Sequence, residues 1–438
     1  FRLYSAVDER HAGYMACGIA QESGRPVVIN CTGATSSRNY MSALTEAYYR
    51  KLPVLALTCS QHSSHIGQMY PQMTDRIHLP TDIVNLSVQC PIPHTKEEEW
   101  DCEVKVNRAL LELRHRGGGP VHINLETGFC PRYSSDTLPN VRVINRTMSF
   151  DGEDAWPLIS KDDKVLVWIG SHKPFSKEEL THLNAFVQSV NAVVVGDLTS
   201  NCEVAISASL LCSQQGFGIN PEFSDLKPDL IIHIGEISGD YPTFGWLKRL
   251  APVWRISEDG ELRDFLGSLK HVFEMPESIF FKHYASTSTQ NHSYQAAWLQ
   301  ATEKVHEINV EMPFSAQWIA ESLAPILPKN ANIHLGILNP LRCWNVTGVR
   351  VRHGFSTVGG FGIDGCVSTM IGASLASPKK LFFGVFGDLS FFYDLNALGN
   401  RHIGKNVRIL LVNNGCGAEF NLYNNPGTWF GDGVNDFI

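Results

Sequence analysis

Two polar side chains, each at the end of an apolar run near the carboxyl terminus, are suited to binding a divalent cation. Asp388 follows the run LFFGVFG, and Asn414 stands just after the run VRILLVN. Short apolar runs of this kind are typical of strands buried on both faces of a parallel sheet. Carboxylate and amide oxygens are hard ligands that suit Mg²⁺, which usually keeps substrate phosphates as well. The stretch therefore predicts a magnesium and phosphate site, provided that the two strand ends lie side by side.

The segment between these two residues is predicted to place them together. A helix is expected to begin near Ser390, which could cap it, and free N–H groups at such a helix start suit phosphate oxygens. A right-handed crossover through that helix makes strands 381–386 and 407–412 parallel. Their carboxyl ends then share the edge at which open α/β sheets bind ligands. The apolar residues at helical spacing are Phe391, Phe392, Leu395 and Leu398.

Length and composition exclude several classes of protein. With 438 residues, 43% hydrophobic and 18% charged, the chain is long enough for two or three globular domains. The net charge of −8 gives no basic footprint for nucleic acid. We expect no membrane contact, because no apolar run reaches membrane-spanning length. The 11 cysteines form no CxxC pair, which fits a reducing, cytoplasmic setting. Phe1 is an unusual start, and we expect the natural protein to extend beyond both ends.

Alternating helix and strand patterns predict an α/β fold with three domains, each a parallel sheet flanked by helices. We expect the domains at 1–126, 151–285 and 313–438. Residues 127–150 lack periodicity and are predicted to be a linker, and 286–312 a polar and then helical linker. The helices predicted in the first segment are 8–21, 37–50 and 95–116, and its third strand is 83–89.

Three motifs resemble the thiamine diphosphate enzymes. The opening DERHAGYMACGIAQESGRPVVINCTG resembles their pyrimidine-binding domain, and GDLS followed by NN resembles their diphosphate and metal motif. Within that superfamily, GIDGCVST and GDLSFFYDLNAL are most similar to the 2-succinyl-5-enolpyruvyl-6-hydroxy-3-cyclohexene-1-carboxylate synthases, carboligases of the menaquinone pathway. The resemblance covers most of the chain. It implies a pyrimidine-binding domain, a central Rossmann-like domain and a pyrophosphate-binding domain, in that order.

The resemblance assigns catalytic roles in the first domain. Glu9 falls on the family's catalytic carboxylate, which hydrogen-bonds N1′ of the cofactor's pyrimidine, and partial burial is expected to raise its pKa. The alternative is an ordinary acid at a helix start, favoured by the helix dipole. Gln72 matches a glutamine that faces the substrate. His62 and His65 are candidates for proton transfer, although histidines on surface loops are more often inert.

The resemblance also assigns residues around the cofactor thiamine diphosphate and its Mg²⁺. Ile363 falls on the aliphatic residue that holds the cofactor in a bent shape, the alternative being an ordinary core residue. The metal ligands would be Asp388, Asn414 and the backbone carbonyl of Cys416, where relatives usually have glycine. The expected cofactor-binding residues are Glu9, Ile363, Gly387, Asp388, Leu389, Ser390 and Asn414.

The expected substrate arginines of the carboligases are not found at the matching positions. Gln61 stands at the first of these arginine positions and Val358 at the second. Trp344 stands at the third, and Arg342 is displaced from it by two positions. Arginine is the natural bidentate partner of a carboxylate, so we expect weakened binding of the menaquinone-pathway substrates. A smaller or differently functionalised 2-oxo acid is the expected donor, with an unknown acceptor.

The function predicted from these features is decarboxylation of a 2-oxo acid and carboligation of the resulting enamine to an acceptor. The alternatives are a simple 2-oxo acid decarboxylase, a carboligase using 2-oxoglutarate and isochorismate, and a cofactor-binding relative without turnover. A nucleotide-binding protein or dehydrogenase is disfavoured, because the GxGxxG match beginning at Gly360 does not open a first βα unit. The resemblance implies a homodimer or homotetramer with active sites between subunits.

Overall fold

The predicted α/β fold class is confirmed by three parallel sheets flanked by helices. The structure is a computed structural model that describes residues 1–128, 136–137, 140–216, 225–285, 291–307, 311–348, 351, 353–421 and 425–437. Parts of both predicted linkers lie outside these residues. The chain divides into two compact units, Phe1–Arg146 and Thr147–Ile438. Among the described residues, none of the helices combines the length and apolar character needed to cross a membrane.

The first unit contains a four-stranded sheet in the order β1-β2-β4-β3, in which all neighbours are parallel. The helix α4 covers one apolar face of this sheet, where buried residues of three strands pack against Ala109. The elements in chain order are α1 (Glu9–Ser23), β1 (Val27–Asn30), α2 (Ser36–Asn39), α3 (Met41–Tyr49), β2 (Val54–Ser60), β3 (Leu86–Cys90), α4 (Lys96–Glu112) and β4 (Val121–Glu126).

Local side-chain chemistry fixes where these helices begin. Asp8 caps α1 by accepting a hydrogen bond from the backbone of His11, and Thr95 forms a capping box with Glu98 at the start of α4. The single helix predicted at 37–50 is wrong, because the chain breaks at Tyr40 into α2 and α3. The third strand also begins three residues later than predicted.

The second unit contains a six-stranded sheet in the order β5-β10-β9-β8-β6-β7. Its edge strand β5 falls within the segment predicted as a linker, which has no apolar alternation to reveal a strand. The elements are β5 (Asn145–Met148), β6 (Val165–Ile169), α5 (Lys177–Ser189), β7 (Ala192–Gly196), α6 (Ser209–Gly216), β8 (Leu230–Ile234), α7 (Tyr241–Leu247), β9 (Val253–Ser257), β10 (Leu269–Glu274), α8 (Glu277–Tyr284) and α9 (Ser293–His306).

The third sheet, which also belongs to the second unit, has four parallel strands in the order β12-β11-β13-β14. Its core includes Ile333, Leu335, Trp344 and Val385. The elements are α10 (Ala316–Leu323), β11 (Asn332–Leu335), α11 (Asn339–Asn345), β12 (His353–Ser356), α12 (Cys366–Ala376), β13 (Phe382–Gly387), α13 (Asp388–Tyr393) and β14 (Val407–Val412).

Two asparagines join the sheets of the second unit. The Asn201 side chain donates to the backbone oxygen of Gly354 at 3.1 Å and accepts from its backbone nitrogen at 2.8 Å. This pair of bonds satisfies the free edge of β12 as a neighbouring strand would. Asn345 accepts from the backbone of Leu198 at 3.1 Å, and its backbone oxygen accepts from Ser207 at 2.7 Å.

Candidate active site

Asp388 lies at the carboxyl end of β13, next to the end of β14. Parallel pairing aligns Gly387 with Val412, so the two strands end at the same level. The Asp388 side chain is only 7% exposed. Its Oδ1 accepts a hydrogen bond from the backbone of Leu389 at 2.9 Å, and its Oδ2 accepts one from Gly415 at 2.8 Å. Backbone donors from both strand ends therefore fix the carboxylate.

The Asn414 amide and the Cys416 carbonyl converge on the same carboxylate. One terminal atom of the amide lies 3.0 Å from the carbonyl oxygen of Cys416 and 3.3 Å from Asp388 Oδ2. If this atom is nitrogen, it donates to both oxygens. If a cation is bound, the amide oxygen can occupy the same place, about 3 Å from both the Cys416 carbonyl oxygen and Asp388 Oδ2, which is the spacing of neighbouring ligands in octahedral Mg²⁺ at about 2.1 Å. The donor set therefore fits magnesium.

The turn carrying these donors accommodates cysteine at position 416. The left-handed backbone conformation falls on Gly415, with φ of +66°, and Cys416 has no positive φ. The departure from the family's usual glycine therefore does not strain the turn. In the described part of the chain, no three His, Cys, Asp or Glu side chains cluster tightly enough to hold a metal, so a zinc-type site is absent there.

Ser390 does not cap the helix, and that prediction is wrong. The helix α13 begins at Asp388, and Ser390, inside it, donates from Oγ to the backbone oxygen of Ile363 at 3.1 Å. At the other end of α13, Asp394 accepts from both the backbone and the hydroxyl of Ser368, at 2.5 and 2.6 Å. The half-buried Ile363 therefore lies on a turn bonded to α13, and α12, which follows this turn, is bonded to the end of α13.

The apolar spacing after Ser390 also misled the sequence interpretation. The α-helix ends at Tyr393, and only Phe391 of the predicted series packs against the buried core. Phe392 is 58% exposed, and Leu395 and Leu398 are also exposed. The periodic apolar residues therefore do not form one buried helix face.

Glu9 is the first residue of α1 and accepts a hydrogen bond from Asn39 Nδ2 at 3.1 Å. The expected rise in its pKa is not found. Its own backbone N–H, and then the side chain of Asn39, hold the pKa of this carboxyl below its usual value; burial opposes them with a smaller effect, and Ser36 lowers the pKa further. Sequence reasoning missed Asn39, because nothing in its local pattern marks it as a partner of Glu9.

Gln72 lies on the long connection from β2 to β3, next to the turn after β1. Its side chain is exposed and its φ is +60°, and a Cβ on Gly33 would lie 3.9 Å from its Oε1. The structure therefore brings Gln72 to the segment that follows β1.

The two candidate histidines lie on the same connection. His62 Nδ1 contacts the Ser64 hydroxyl at 2.7 Å, and its Nε2 lies 3.7 Å from a carboxylate oxygen of Glu126. His65 stacks on the Tyr70 ring, with 3.9 Å between centroids. Its Nδ1 lies 3.2 Å from Oε1 of Gln61, at an arginine position of the carboligases. The structure thus places imidazole and amide groups at this edge of the first sheet.

The other two arginine positions are unavailable for a substrate. Val358 is buried in the core of the third sheet, where it packs beside Leu341. Arg342 makes two hydrogen bonds to the Glu419 carboxylate, at 2.7 and 3.3 Å, and its guanidinium carbon lies 5.4 Å from the centre of the Tyr241 ring. No local sequence pattern indicates that Glu419, three residues after Cys416, neutralises this arginine.

Comparisons with known proteins agree with this geometry. Residues 1–79 match the model of the family "Thiamine pyrophosphate enzyme, N-terminal TPP binding domain". The chain is also similar to curated proteins named 2-succinyl-5-enolpyruvyl-6-hydroxy-3-cyclohexene-1-carboxylate synthase. The protein from Bacteroides fragilis is 33% identical, over 96% of this chain and 77% of the relative. Those from Bacteroides thetaiotaomicron and Phocaeicola vulgatus are 32% and 30% identical, over 96% of this chain and 77% and 76% of their own lengths.

The class of protein follows from these matches and from the parallel α/β sheets. The first sheet carries one candidate half-site, at Glu9 and Gln72, and the third sheet carries the other, at Asp388 and Asn414. The chain belongs to the thiamine pyrophosphate enzymes, within the family that contains these synthases.

Proposed function

We propose that the chain uses thiamine diphosphate and Mg²⁺ to decarboxylate a 2-oxo acid and to join the remaining carbons to an acceptor. The observation that supports this most directly is the convergence of the Asp388 carboxylate, the Asn414 amide and the Cys416 carbonyl at adjacent strand ends. These are three oxygen donors of the type and spacing that Mg²⁺ takes. The family match supports the cofactor independently of the metal.

The three sheets receive their roles from this proposal. Residues 1–126 would bind the pyrimidine, 151–285 would form a structural centre, and 313–438 would bind the pyrophosphate and metal. When bound, the cofactor supplies the electron sink for decarboxylation. Gly387, Leu389 and Ser390 would border the diphosphate, and Ile363 would lie under the cofactor.

Glu9 would hold and return a proton at the pyrimidine of the cofactor. In the chain alone Glu9 is only half-buried, and hydrogen bonds hold the pKa of its carboxyl low. Covering this carboxyl with cofactor and a second subunit would remove water and raise the pKa toward the range needed for general acid-base work. We therefore propose a homodimer or homotetramer in which a second copy completes the site.

The acceptor and donor are proposed to differ from those of the relatives. Their name indicates a product with more than one carboxylate, whereas here Gln61 and Val358 carry no charge and Arg342 is paired with Glu419. An incoming carboxylate would have to compete with Glu419 for that arginine. We favour a smaller 2-oxo acid, and keep the relatives' activity as a second candidate because of the 33% identity.

A dinucleotide at the point where the strand order of the central sheet reverses is disfavoured by the packing there. The strand order reverses between β6 and β8, the place where such sheets bind ligands. There the backbones of Gly170 and Glu236 bond to Ile234 and Ser171, at 2.9 and 2.8 Å. A Cβ on Gly170 would lie 1.8 Å from the Glu236 oxygen. This close packing leaves no crevice between the two strand ends.

The test is CO₂ release by the natural full-length protein with thiamine diphosphate and Mg²⁺, across pyruvate, 2-oxoglutarate and larger 2-oxo acids. We expect cofactor-dependent release from one acid, and product analysis then separates carboligation from simple decarboxylation. Release from 2-oxoglutarate followed by addition to isochorismate would establish the second candidate instead. Cofactor binding without release from any acid, with and without added acceptors, would contradict turnover.

A further inference from the structure

On the face of the first sheet opposite α4, β2, β3 and β4 carry a polar, hydrogen-bonded group of side chains beside an apolar cluster that packs against α1 and α3. The Thr58 hydroxyl lies 2.8 Å from both Asn124 Oδ1 and His122 Nε2, and the Asn124 amide nitrogen donates to Gln89 Oε1 at 2.8 Å. Burial lowers the pKa of His122 to about 4, so its ring is neutral near pH 7. Gln89 in turn donates to the backbone oxygen of Arg76 at 3.1 Å. This polar layer therefore supports the backbone at Arg76.

The Arg76 side chain is a buried cation that bonds to neutral groups. Arg76 is 3% exposed, and the described carboxylates form no ion pair with it. Its Nε donates to the Ser37 hydroxyl at 2.9 Å, its Nη2 donates to the Ala34 carbonyl at 3.1 Å, and its Nη1 donates to the Cys59 carbonyl. One guanidinium thus joins the turn after β1, the start of α2 and the end of β2 to the connection from β2 to β3, on which Arg76 itself lies.

The segments that Arg76 joins have an unfavourable backbone. Ala34, Met69 and Gln72 have φ values of +57°, +63° and +60° without being glycine. Each such residue is disfavoured and persists only when its surroundings hold it, and such residues cluster at functional sites. Gln72 is four residues from Arg76, and Ala34 accepts its hydrogen bond directly.

We propose that Arg76 is a positioning residue that holds the turn after β1 and the connection carrying Gln72 in the geometry needed for turnover. Its planar fork reaches three acceptors in three directions, which the single ammonium of lysine cannot match. Arg76 touches neither substrate nor cofactor in this scheme; it acts through the placement of Gln72 and of the turn at Gly33 and Ala34. The proposed role in turnover rests on the proposed function, whereas the role in holding the two loops does not.

The test compares Arg76→Lys and Arg76→Met with the matched control Arg25→Met in the natural full-length protein. Arg25 is an exposed residue between α1 and β1, outside the two loops that Arg76 joins. In both Arg76 variants, we expect amide hydrogen exchange in 33–37 and 66–75 to accelerate together by at least about tenfold, as local opening becomes easier. We expect kcat per folded enzyme to fall by about 10- to 100-fold, with magnesium affinity nearly unchanged. The control should change neither.

Two results would overturn the proposal. One is unchanged exchange in both segments of folded Arg76→Lys. The other is a lower melting temperature with kcat per folded enzyme unchanged, which would leave Arg76 a stabilising residue only. If Arg76→Met does not fold, Arg76→Lys decides between these results. If the unaltered protein releases no CO₂ from any 2-oxo acid, the proposed function has failed, and the exchange measurement still decides whether Arg76 holds the two loops.

Discussion

The two candidate half-sites lie at carboxyl edges of similar sheets but are built differently. In the third sheet, Asp388 is buried and held by backbone N–H groups of the two turns that end β13 and β14. In the first sheet, Glu9 is only half-buried, and Gln72 lies on a long connection held by side-chain hydrogen bonds around Arg76. Backbone donors fix one half-site, and side chains and surroundings fix the other.

This contrast separates metal binding, for which one sheet edge holds the donor atoms, from proton transfer, which depends on the surroundings of the carboxylate. A metal site made of strand-end oxygens is preorganised, so its affinity should depend on the atoms within the turn. A proton-transfer carboxylate depends on water exclusion, because its pKa follows its surroundings. We therefore expect variants of the third-sheet edge to change binding, and variants of the first-sheet edge to change turnover.

The largest expected effect is on turnover at Glu9. Glu9→Gln should bind thiamine diphosphate and Mg²⁺ with little change, yet lose about 10²- to 10⁴-fold in kcat, because the amide cannot take and return a proton. Calorimetry of cofactor binding and CO₂ release measure the two quantities. Glu22→Gln, an exposed acid of the same helix, is the control. Full kcat in Glu9→Gln would remove Glu9 from the reaction.

The next effect is on metal binding at Asp388. Asp388→Asn removes the only formal charge among the three proposed ligands and should weaken Mg²⁺ binding by at least about tenfold, the lower end of the loss that even outer-shell changes cause. Isothermal titration with Mg²⁺ in the presence of thiamine diphosphate measures this. Asp394→Asn, at a buried acid that bonds to Ser368, should lower stability while keeping the affinity. Equal Mg²⁺ affinity in Asp388→Asn and the parent protein would place the metal elsewhere.

A smaller effect concerns pH and the buried His122. Because burial lowers its pKa to about 4, the folded first unit binds fewer protons than the unfolded chain between about pH 6.5 and 4. The contribution of His122 to the free energy of unfolding is complete above about pH 6.5. It is lost as the pH falls, and the loss amounts to about 2 kcal/mol by pH 5.

Hydrogen exchange of the β2 and β4 amides at pH 7.5 and 5, corrected for the intrinsic exchange rate at each pH, measures this loss of opening free energy. Between pH 7.5 and 5, the opening free energy of His122→Gln should fall by about 2 kcal/mol less than that of the parent protein. His94→Gln, on the exposed segment before α4, should behave as the parent. An identical loss in all three proteins would show that His122 does not titrate on opening.

The smallest effect concerns the pairing of Arg342 with Glu419. Both side chains are about one-third exposed, so breaking the pair should cost no more than about 1 kcal/mol of stability. Glu419→Gln frees the Arg342 charge and should lower KM severalfold for a substrate with a second carboxylate, relative to pyruvate. Glu321→Gln, an acid on α10 that bonds to Gln317, is the control. An unchanged ratio of the two KM values would place Arg342 away from the substrate.

Sequence patterns were sufficient where the interactions are local and repetitive. Apolar runs predicted the strands, including β14 at its observed bounds, although β14 lies at the sheet edge and is half-buried instead of buried as predicted. The alternation of elements predicted parallel sheets. Strand-end position predicted that Asp388 and Asn414 lie together, because parallel pairing brings consecutive carboxyl ends to one edge. The resemblance to the thiamine diphosphate enzymes was confirmed by the comparisons.

Tertiary structure decided what depends on partners distant in sequence. The carboxylate of Glu9 bonds to Asn39, the charge of Arg342 is matched by Glu419, and Ser390 bonds to Ile363 instead of capping α13. The exposure of Phe392 also reverses what its helical spacing suggested. Periodicity records which face of an element is apolar, but a side chain's hydrogen-bond partner, charge partner and burial are set by elements that meet only after folding.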